Sequence, residues 1–300
     1  MVLRESISPM KIECPVKGKS AENCMWQQRK GHLRDFPKVG IIQCQECKLV
    51  THAQDLSADV DYESGSMHNW AQGYGDFLPG PARDLSRRTS AINNLAKTKR
   101  IDAVLDFGSG SGGMLSELSI DFKVIGIEPD REAREATVNL GHQVFESAEM
   151  AISKNIQVDL VTLFHVVEHF YSPSHELTQI LDLLRPGGLV IIETPNSMDV
   201  LLSKYESDEF ESFTYWSHHP MLHSHQSLEK LVENCGFEII ENTGVQRYDL
   251  NNHLYWLSSG RPGGHEQWKN FASNGLLEAY ENFLIEQKIS DTLWLVARKP

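Results

Sequence analysis

The sequence predicts an α/β fold, a parallel sheet with helices on both faces, on two observations. From residue 101 onward, short apolar runs of strand length alternate with amphipathic helical stretches, the pattern of successive βαβ units. One of those runs leads straight into a cluster of glycines and then into a helix, a context that separates a ligand-cradling turn from an ordinary flexible loop. Strands are expected at Ala103–Phe107, Lys123–Ile127, Gln143–Glu146, Leu160–Phe164 and Leu189–Glu193. Between them, Met114–Ile120, Arg131–Leu140 and Glu176–Leu184 have helical periodicity, and another helix precedes the block at about Ala82–Lys97. After Pro195-Asn196 the chain turns irregular and rich in His, Trp and Tyr, until Ser227 starts a helix that Gly236 ends. Phe237–Glu241 and Thr292–Ala297 read as two further strands.

The chain has 300 residues, 40% hydrophobic and 23% charged. That is globular composition, with length for about two domains. The longest apolar runs, such as Leu189-Val190-Ile191-Ile192, are too short to span a bilayer. The opening MVLRESISPMK lacks the apolar core of a secretory signal. A cytoplasmic protein with no membrane span is expected. The formal net charge of −13 repels a nucleic-acid backbone unless basic residues are segregated. Residues 1–55 hold nine Lys/Arg against six Asp/Glu, too small an excess to imply a nucleic-acid partner. Nothing in the composition speaks to oligomeric state.

The strongest signal is Val104-Leu105-Asp106-Phe107-Gly108-Ser109-Gly110-Ser111-Gly112-Gly113. Glycines there let the backbone turn sharply and let a ligand approach where a Cβ would collide. Eighteen residues after Gly110, a second strand ends in Glu128, a carboxylate able to accept two hydrogen bonds from a ribose diol. The loop carries Asp106 and lacks the spacing of a dinucleotide fingerprint. An acid at the strand end disfavours a pyrophosphate and suits an ammonium group. The ligand expected is an adenosine carrying an amino group and no phosphate, and S-adenosyl-L-methionine fits.

With these residues in view, the stretch from about 101 to 200 resembles the class I S-adenosylmethionine-dependent methyltransferases. The glycine loop looks like the family's first motif, and Ile127-Glu128-Pro129-Asp130 its second. Asp159–His169 is similar to the motif of the fourth strand that ends in Leu-Glu-His, and Leu184-Arg185-Pro186-Gly187-Gly188 to the turn before the fifth. The resemblance implies a Rossmann-like, seven-stranded, mostly parallel sheet. It implies Asp106, Gly108 and Gly110 against the methionine part of the cofactor, Glu128 on the ribose and Pro129 along the adenine. It puts Ala148, in the turn Ser147-Ala148-Glu149, at the adenine edge, and Phe164 and His165 between cofactor and acceptor. Glu168 and His169, within the fourth-strand motif, are read mainly as structural.

Methyl transfer needs an aligned nucleophile and, where required, a base. The segment Tyr215–Leu228 is similar to a histidine-bearing stretch of sugar and small-molecule methyltransferases. That likeness makes His219 the candidate general base, with His218 standing where the family has Glu and His223 where it has an aromatic residue; His165, facing the acceptor, is the other catalytic candidate. Four histidines lie in eight residues, His218, His219, His223 and His225. A metal site and a solvated loop remain alternatives for them. Trp70–Gly75 is expected to act as lid material. Arg247–Trp256 and Gly260–His265 are expected as loops whose aromatic and polar groups suit a hydroxyl-rich acceptor.

Four of the five cysteines, Cys14, Cys24, Cys44 and Cys47, fall in the first 47 residues. The front of the chain resembles the zinc ribbon that precedes some sugar methyltransferases, with Cys44-Gln45-Glu46-Cys47 as its second knuckle. The first knuckle reads Cys14-Pro15-Val16-Lys17-Gly18, with lysine where a thiolate belongs. Either Cys24 completes a structural zinc site, or the module keeps the shape without the metal. The organisation expected is a ribbon-like module over 1–55, a helical lid or linker over 56–100, and a cofactor-binding domain over 101–300 with an acceptor cap around 200–290. The activity implied is methyl transfer to a small, hydroxyl-rich acceptor such as a nucleotide-linked sugar. A quinone or phenolic O-methyltransferase, a nucleic-acid methyltransferase with a strand-gripping ribbon, and a cofactor-binding regulator without turnover are the rivals, and the charge balance weighs against the nucleic-acid reading.

Overall fold

The computed structural model describes Cys14, residues 24–57 and residues 81–300. Trp70–Gly75, the expected lid segment, lies outside them. In chain order, three antiparallel strands come first: β1 (Trp26–His32), β2 (Gly40–Cys44) and β3 (Val50–His52). Helix α1 (Pro81–Ala96) leads into the alternating block. That block runs β4 (Ala103–Phe107), α2 (Gly113–Leu118), β5 (Lys123–Ile127), α3 (Arg131–Asn139), β6 (Gln143–Phe145), α4 (Ala148–Ser153), β7 (Val158–Phe164), α5 (Pro173–Leu183) and β8 (Leu184–Pro195). Beyond it lie α6 (Val200–Ser203), α7 (Asp208–Thr214), β9 (Met221–Leu222), α8 (His225–Asn234) and β10 (Glu238–Val245). The chain ends with α9 (Leu250–Ser259), α10 (Gly264–Gln267), α11 (Asn274–Glu286) and β11 (Thr292–Arg298).

The large sheet has seven strands in the order β10-β11-β8-β7-β4-β5-β6. The pairings among β4 to β8 are parallel, and β11 runs antiparallel to both β8 and β10. This is the expected seven-stranded, mostly parallel sheet. β4 is buried along its whole length because helices cover both faces, which is why its sequence is a continuous apolar run. On one face, Leu177, Ile180 and Leu183 of α5 and Leu228, Leu231 and Val232 of α8 pack together with Leu105 and Leu163. On the other, Ile92 of α1 packs with Val104, Leu160 and Ile191. Each such side chain contributes about 1.5–3 kcal/mol of burial. The strand order reverses direction at β4 and β7, so a crevice opens outside their carboxyl ends, where ligands bind in folds of this kind.

The small sheet has the order β1-β2-β3-β9. Its last strand comes from far down the chain, with Val50 paired to Leu222 and Thr51 to Met221. No helix among the described residues is long and apolar enough to cross a membrane.

Some local expectations need correction. Arg247–Trp256 is not a loop: Asp249 caps α9 by accepting the Asn252 N–H at 2.9 Å, and Asn251, Asn252, His253, Tyr255 and Trp256 are buried along it. Polar residues on the buried face hide the helical period. The irregular stretch after Asn196 holds two short helices, and α8 starts at His225, where Ser224 forms a capping box with Ser227. The strand β1 carries Gln, Arg and Lys on an exposed edge, so no apolar alternation marks it.

Candidate functional site

At the end of β4 the chain turns through Gly108, whose φ is +74°. A Cβ there would stand 2.6 Å from Val166 Cγ2, so glycine is required on two counts. The Gly108 and Ser109 N–H groups donate to the Ile127 carbonyl at 2.8 and 3.0 Å, tying the loop to the end of β5. Glu128 follows, its Oε2 accepting the Gly110 N–H at 2.7 Å and its Oε1 the Asp130 N–H at 2.9 Å. Gly108, Glu128, Pro129, Ala148 and His165 line a cavity of about 530 Å³. Asp106, Gly110 and Phe164 are not on its wall. Asp106 sits behind the loop, accepting from Thr162 Oγ1 at 2.7 Å, and burial pushes its carboxyl up to about 7. Phe164 stacks on Trp294, with ring centroids 5.9 Å apart.

A second cavity of about 140 Å³ lies among Asp199, Trp216, His219, Arg247 and Trp256, and His165 lines this one too. Among the described residues, His165 is therefore the side chain common to both spaces. Its φ of +58° is unusual for a residue with a Cβ, and conformations of this sort gather at functional sites. Its N–H donates to the Glu193 carbonyl at 2.7 Å, which holds the turn.

The imidazole of His165 is oriented at both nitrogens. Nδ1 lies 3.2 Å from Glu168 Oε1, and Nε2 lies 3.0 Å from Arg247 Nη1. Nε2 also lies 3.3 Å from Glu193 Oε1, so it faces both a guanidinium, which can only donate, and a carboxylate, which can only accept, while Nδ1 faces the Glu168 carboxylate. Glu168 is fully buried and also accepts from Thr194 Oγ1 at 2.8 Å. Burial raises its carboxyl, but His165 and the histidines beside it outweigh that, and it falls to about 2. Around this pair runs a charge network. Buried Glu193 accepts from Arg87 and Arg88 at 2.8 and 2.7 Å. Despite burial, His165 and Arg88 hold its carboxyl far below the usual range. Asp84 takes the rest of the Arg247 guanidinium at 2.6 and 3.1 Å.

The four histidines of 218–225 do not gather round one point. His223 is buried, its Nδ1 3.3 Å from Ser227 Oγ, and desolvation pushes it down to about 4. His225 Nδ1 meets Asn242 Oδ1 at 2.7 Å. His218 stacks on Trp216. Only His219 borders the second cavity. Its ring meets His169 edge-to-face at 4.9 Å, and its Nδ1 is buried with no hydrogen-bond partner. Burial and neighbouring His169 push its imidazole well below the usual value. Among the described residues, Glu168, His169 and His219 do bring ligand-capable atoms within 4.8 Å of one another.

The His219 segment is held from the small sheet's side. Asp35 accepts the Ser217 N–H at 3.0 Å and its hydroxyl at 2.6 Å. Arg34 donates to the Phe213 carbonyl at 2.7 Å, and His52 Nε2 lies 3.2 Å from the Trp216 carbonyl.

In the front module, Cys14, Cys44 and Cys47 place their sulfurs within 4.8 Å of one another, all buried. Cys24 packs beside them but is not in the group. Three buried thiols suit a soft cation such as zinc, which takes four ligands in a structural site. The described residues offer three.

Sequence reasoning missed Asp84, Arg87, Arg88 and Glu193. One signal was available: Glu193 is an acid at the end of the apolar run Leu189–Ile192, in a strand buried on both faces, where a charge must find partners.

A family model described as a methyltransferase domain matches residues 76–242. A probable S-adenosylmethionine-dependent methyltransferase of Mycolicibacterium smegmatis is 27% identical over 155 residues, 47% of this chain and 54% of that protein, so the match spans about half of the relative. A ubiquinone biosynthesis O-methyltransferase of Aeromonas salmonicida is 37% identical over 167 residues, 50% of this chain and 69% of that protein. A crystal structure of an S-adenosylmethionine-dependent methyltransferase from Archaeoglobus fulgidus aligns with a TM-score of 0.49 and 16% identity, covering 77% of this chain and 99% of that one.

Proposed function

We propose, on the premise that this chain belongs to the methyltransferase-domain family and is a class I S-adenosylmethionine-dependent methyltransferase, that it methylates a small, hydroxyl-rich acceptor held in the second cavity. The observation that carries this reading is the position of His165, which borders both cavities with its imidazole oriented by Glu168. The fit of the cofactor rests on the glycine turn, which leaves room where a Cβ would collide, and on Glu128 and Pro129 at the wall of the larger cavity. When bound, S-adenosylmethionine supplies an electrophilic methyl group on a sulfonium.

This chain's own residues do the rest. Arg247 moves off Nε2, and an acceptor hydroxyl takes its place. Nε2 accepts the hydroxyl proton as the oxygen is committed to the methyl carbon. Buried Glu168 stabilises the imidazolium that forms and keeps the ring in the productive tautomer. The ring wall of Trp216 and Trp256 excludes water. His219, with a buried unpartnered nitrogen on the same cavity, is the second candidate for the base.

A nucleotide-linked sugar is the acceptor proposed, its sugar hydroxyls facing the polar groups of the cavity. The second reading is O-methylation of a quinone or phenol, favoured by the aromatic lining of Phe210, Phe213, Trp216 and Trp256 and by the name of the Aeromonas salmonicida relative. Incubation with radiolabelled S-adenosylmethionine and matched panels of nucleotide sugars and polyhydroxylated phenols separates the two. Label in a sugar product, lost in His165→Ala, supports the first. Label in phenols alone replaces it with the second. Cofactor binding with no label in any acceptor leaves a regulatory binding protein.

The front module, residues 1–55, is proposed to hold a structural zinc through Cys14, Cys44 and Cys47, with no part in the chemistry.

A further inference from the structure

The second cavity has polar groups at its wall, and nearly all of them are occupied. Arg247 is paired with Asp84. Arg34 donates to a carbonyl and lies over the Trp216 ring at 4.5 Å. Asp291 accepts from the backbone N–H groups of Arg247 and Tyr248 and from Gln246 Nε2, each at 2.9 Å. Asn196 donates to the Ser290 carbonyl at 2.8 Å.

Two wall groups are exceptions: His219 Nδ1, buried with no hydrogen-bond partner, and Asp199. Asp199 lies at the start of α6, and one carboxylate oxygen accepts the Leu201 N–H at 2.7 Å. Among the described residues no cation forms an ion pair with this carboxylate. Yet the residue is only 4% exposed and borders the cavity. The same cavity is lined by aromatic rings: Phe210 and Trp256 meet edge-to-face at 5.1 Å, and Phe213 lies 5.2 Å from Trp256. A carboxylate buried without a counter-charge is costly, and ring faces attract cations. Burial and the nearby Asp291 push the Asp199 carboxyl well above its ordinary range, as happens when no positive group is near.

We propose that the acceptor carries a protonated amino group that pairs with Asp199 inside this aromatic enclosure. This rests on the reading of the second cavity as the acceptor site and narrows it from polyols in general to an amine-bearing acceptor such as an amino sugar. A six-membered ring with one ammonium substituent suits a space of about 140 Å³. It would also supply the positive charge that Asp199 lacks.

The test needs no turnover. With the cofactor cleft filled by saturating S-adenosylhomocysteine, saturation-transfer NMR measures the binding of cyclohexylamine, cyclohexanol and cyclohexanecarboxylate. The amine, protonated at neutral pH, is expected to bind about tenfold or more tightly than the alcohol, and the carboxylate least. In Asp199→Asn, which keeps an acceptor for the Leu201 N–H, amine and alcohol should bind alike while S-adenosylhomocysteine affinity is unchanged. Equal binding of amine and alcohol to the wild type, or an amine preference that survives Asp199→Asn, overturns the proposal. Should the variant fail to fold, the comparison of the three ligands on the wild type still decides. Failure of methyl transfer to every acceptor would remove the reading of the cavity and leave the amine preference to be read separately.

Discussion

Glu168 Oε1 lies 3.2 Å from Nδ1 of His165, a side chain that borders both cavities. The buried Glu168 carboxylate faces one nitrogen, and the Arg247 guanidinium and the Glu193 carboxylate face the other, on the acceptor side. This is the geometry of a base with its orienting partner.

Glu168→Gln keeps the size of the side chain and loses its charge. Turnover should fall about 100-fold or more, the scale of general-base catalysis, with S-adenosylhomocysteine affinity nearly unchanged. Steady-state kinetics and calorimetry on the same preparation check both halves. Unchanged turnover removes the dyad from the mechanism.

The same carboxylate shapes acid stability. Its folded value of about 2 lies below the ordinary 4.5, so the folded state keeps the group ionised where the unfolded chain binds a proton. The stability this supplies is complete above 4.5 and is lost as pH falls toward 2, and depressed Glu193 acts in the same direction. Urea midpoints measured from pH 5 down to 2 should drop steeply in the wild type and less steeply in Glu168→Gln. Parallel curves would show that Glu168 is not depressed.

Asp35 couples the small sheet to the acceptor side by accepting two hydrogen bonds from Ser217, two residues before His219. Asp35→Ala leaves those donors unmet and should cost about 1–3 kcal/mol. Acceptor turnover should fall while cofactor affinity holds, and Asp35→Asn, which keeps an acceptor for the Ser217 N–H, should recover part of the loss. Equal loss of cofactor binding would mean that Asp35 supports the whole fold and has no particular bearing on this turn.

Elemental analysis addresses the front module. With three clustered thiols, about one zinc per chain is expected, lost in Cys47→Ser and retained in Cys24→Ser. Zinc lost in Cys24→Ser would put the fourth sulfur back in the site. No zinc in the wild type would leave a metal-free module.

The centre of the sheet was legible in the sequence because β4, β7 and most of β8 are buried on both faces. Ala103–Phe107 and Lys123–Ile127 stand at the residues expected, since continuous apolar runs leave little choice of register. The glycine loop was legible because the positive φ of Gly108, Gly110 and Gly112 excludes most residue types, and Glu128 because it is an acid at the end of an apolar strand. The acceptor side was harder to read. α9 buries Asn251, Asn252 and His253, so its buried face looks polar in the sequence. The partners of Glu193 lie more than 100 residues away, on α1, a separation that no local pattern encodes. Asp199 looks like any helix-capping acid until the aromatic lining of the cavity it borders is seen.

The most direct measurement is calorimetric titration of the purified protein with S-adenosylhomocysteine and, separately, with NAD. One equivalent of S-adenosylhomocysteine should bind, markedly more weakly in Gly108→Ala and Glu128→Ala, and NAD should give no heat. Uptake of NAD with no response to S-adenosylhomocysteine would contradict the account at its base.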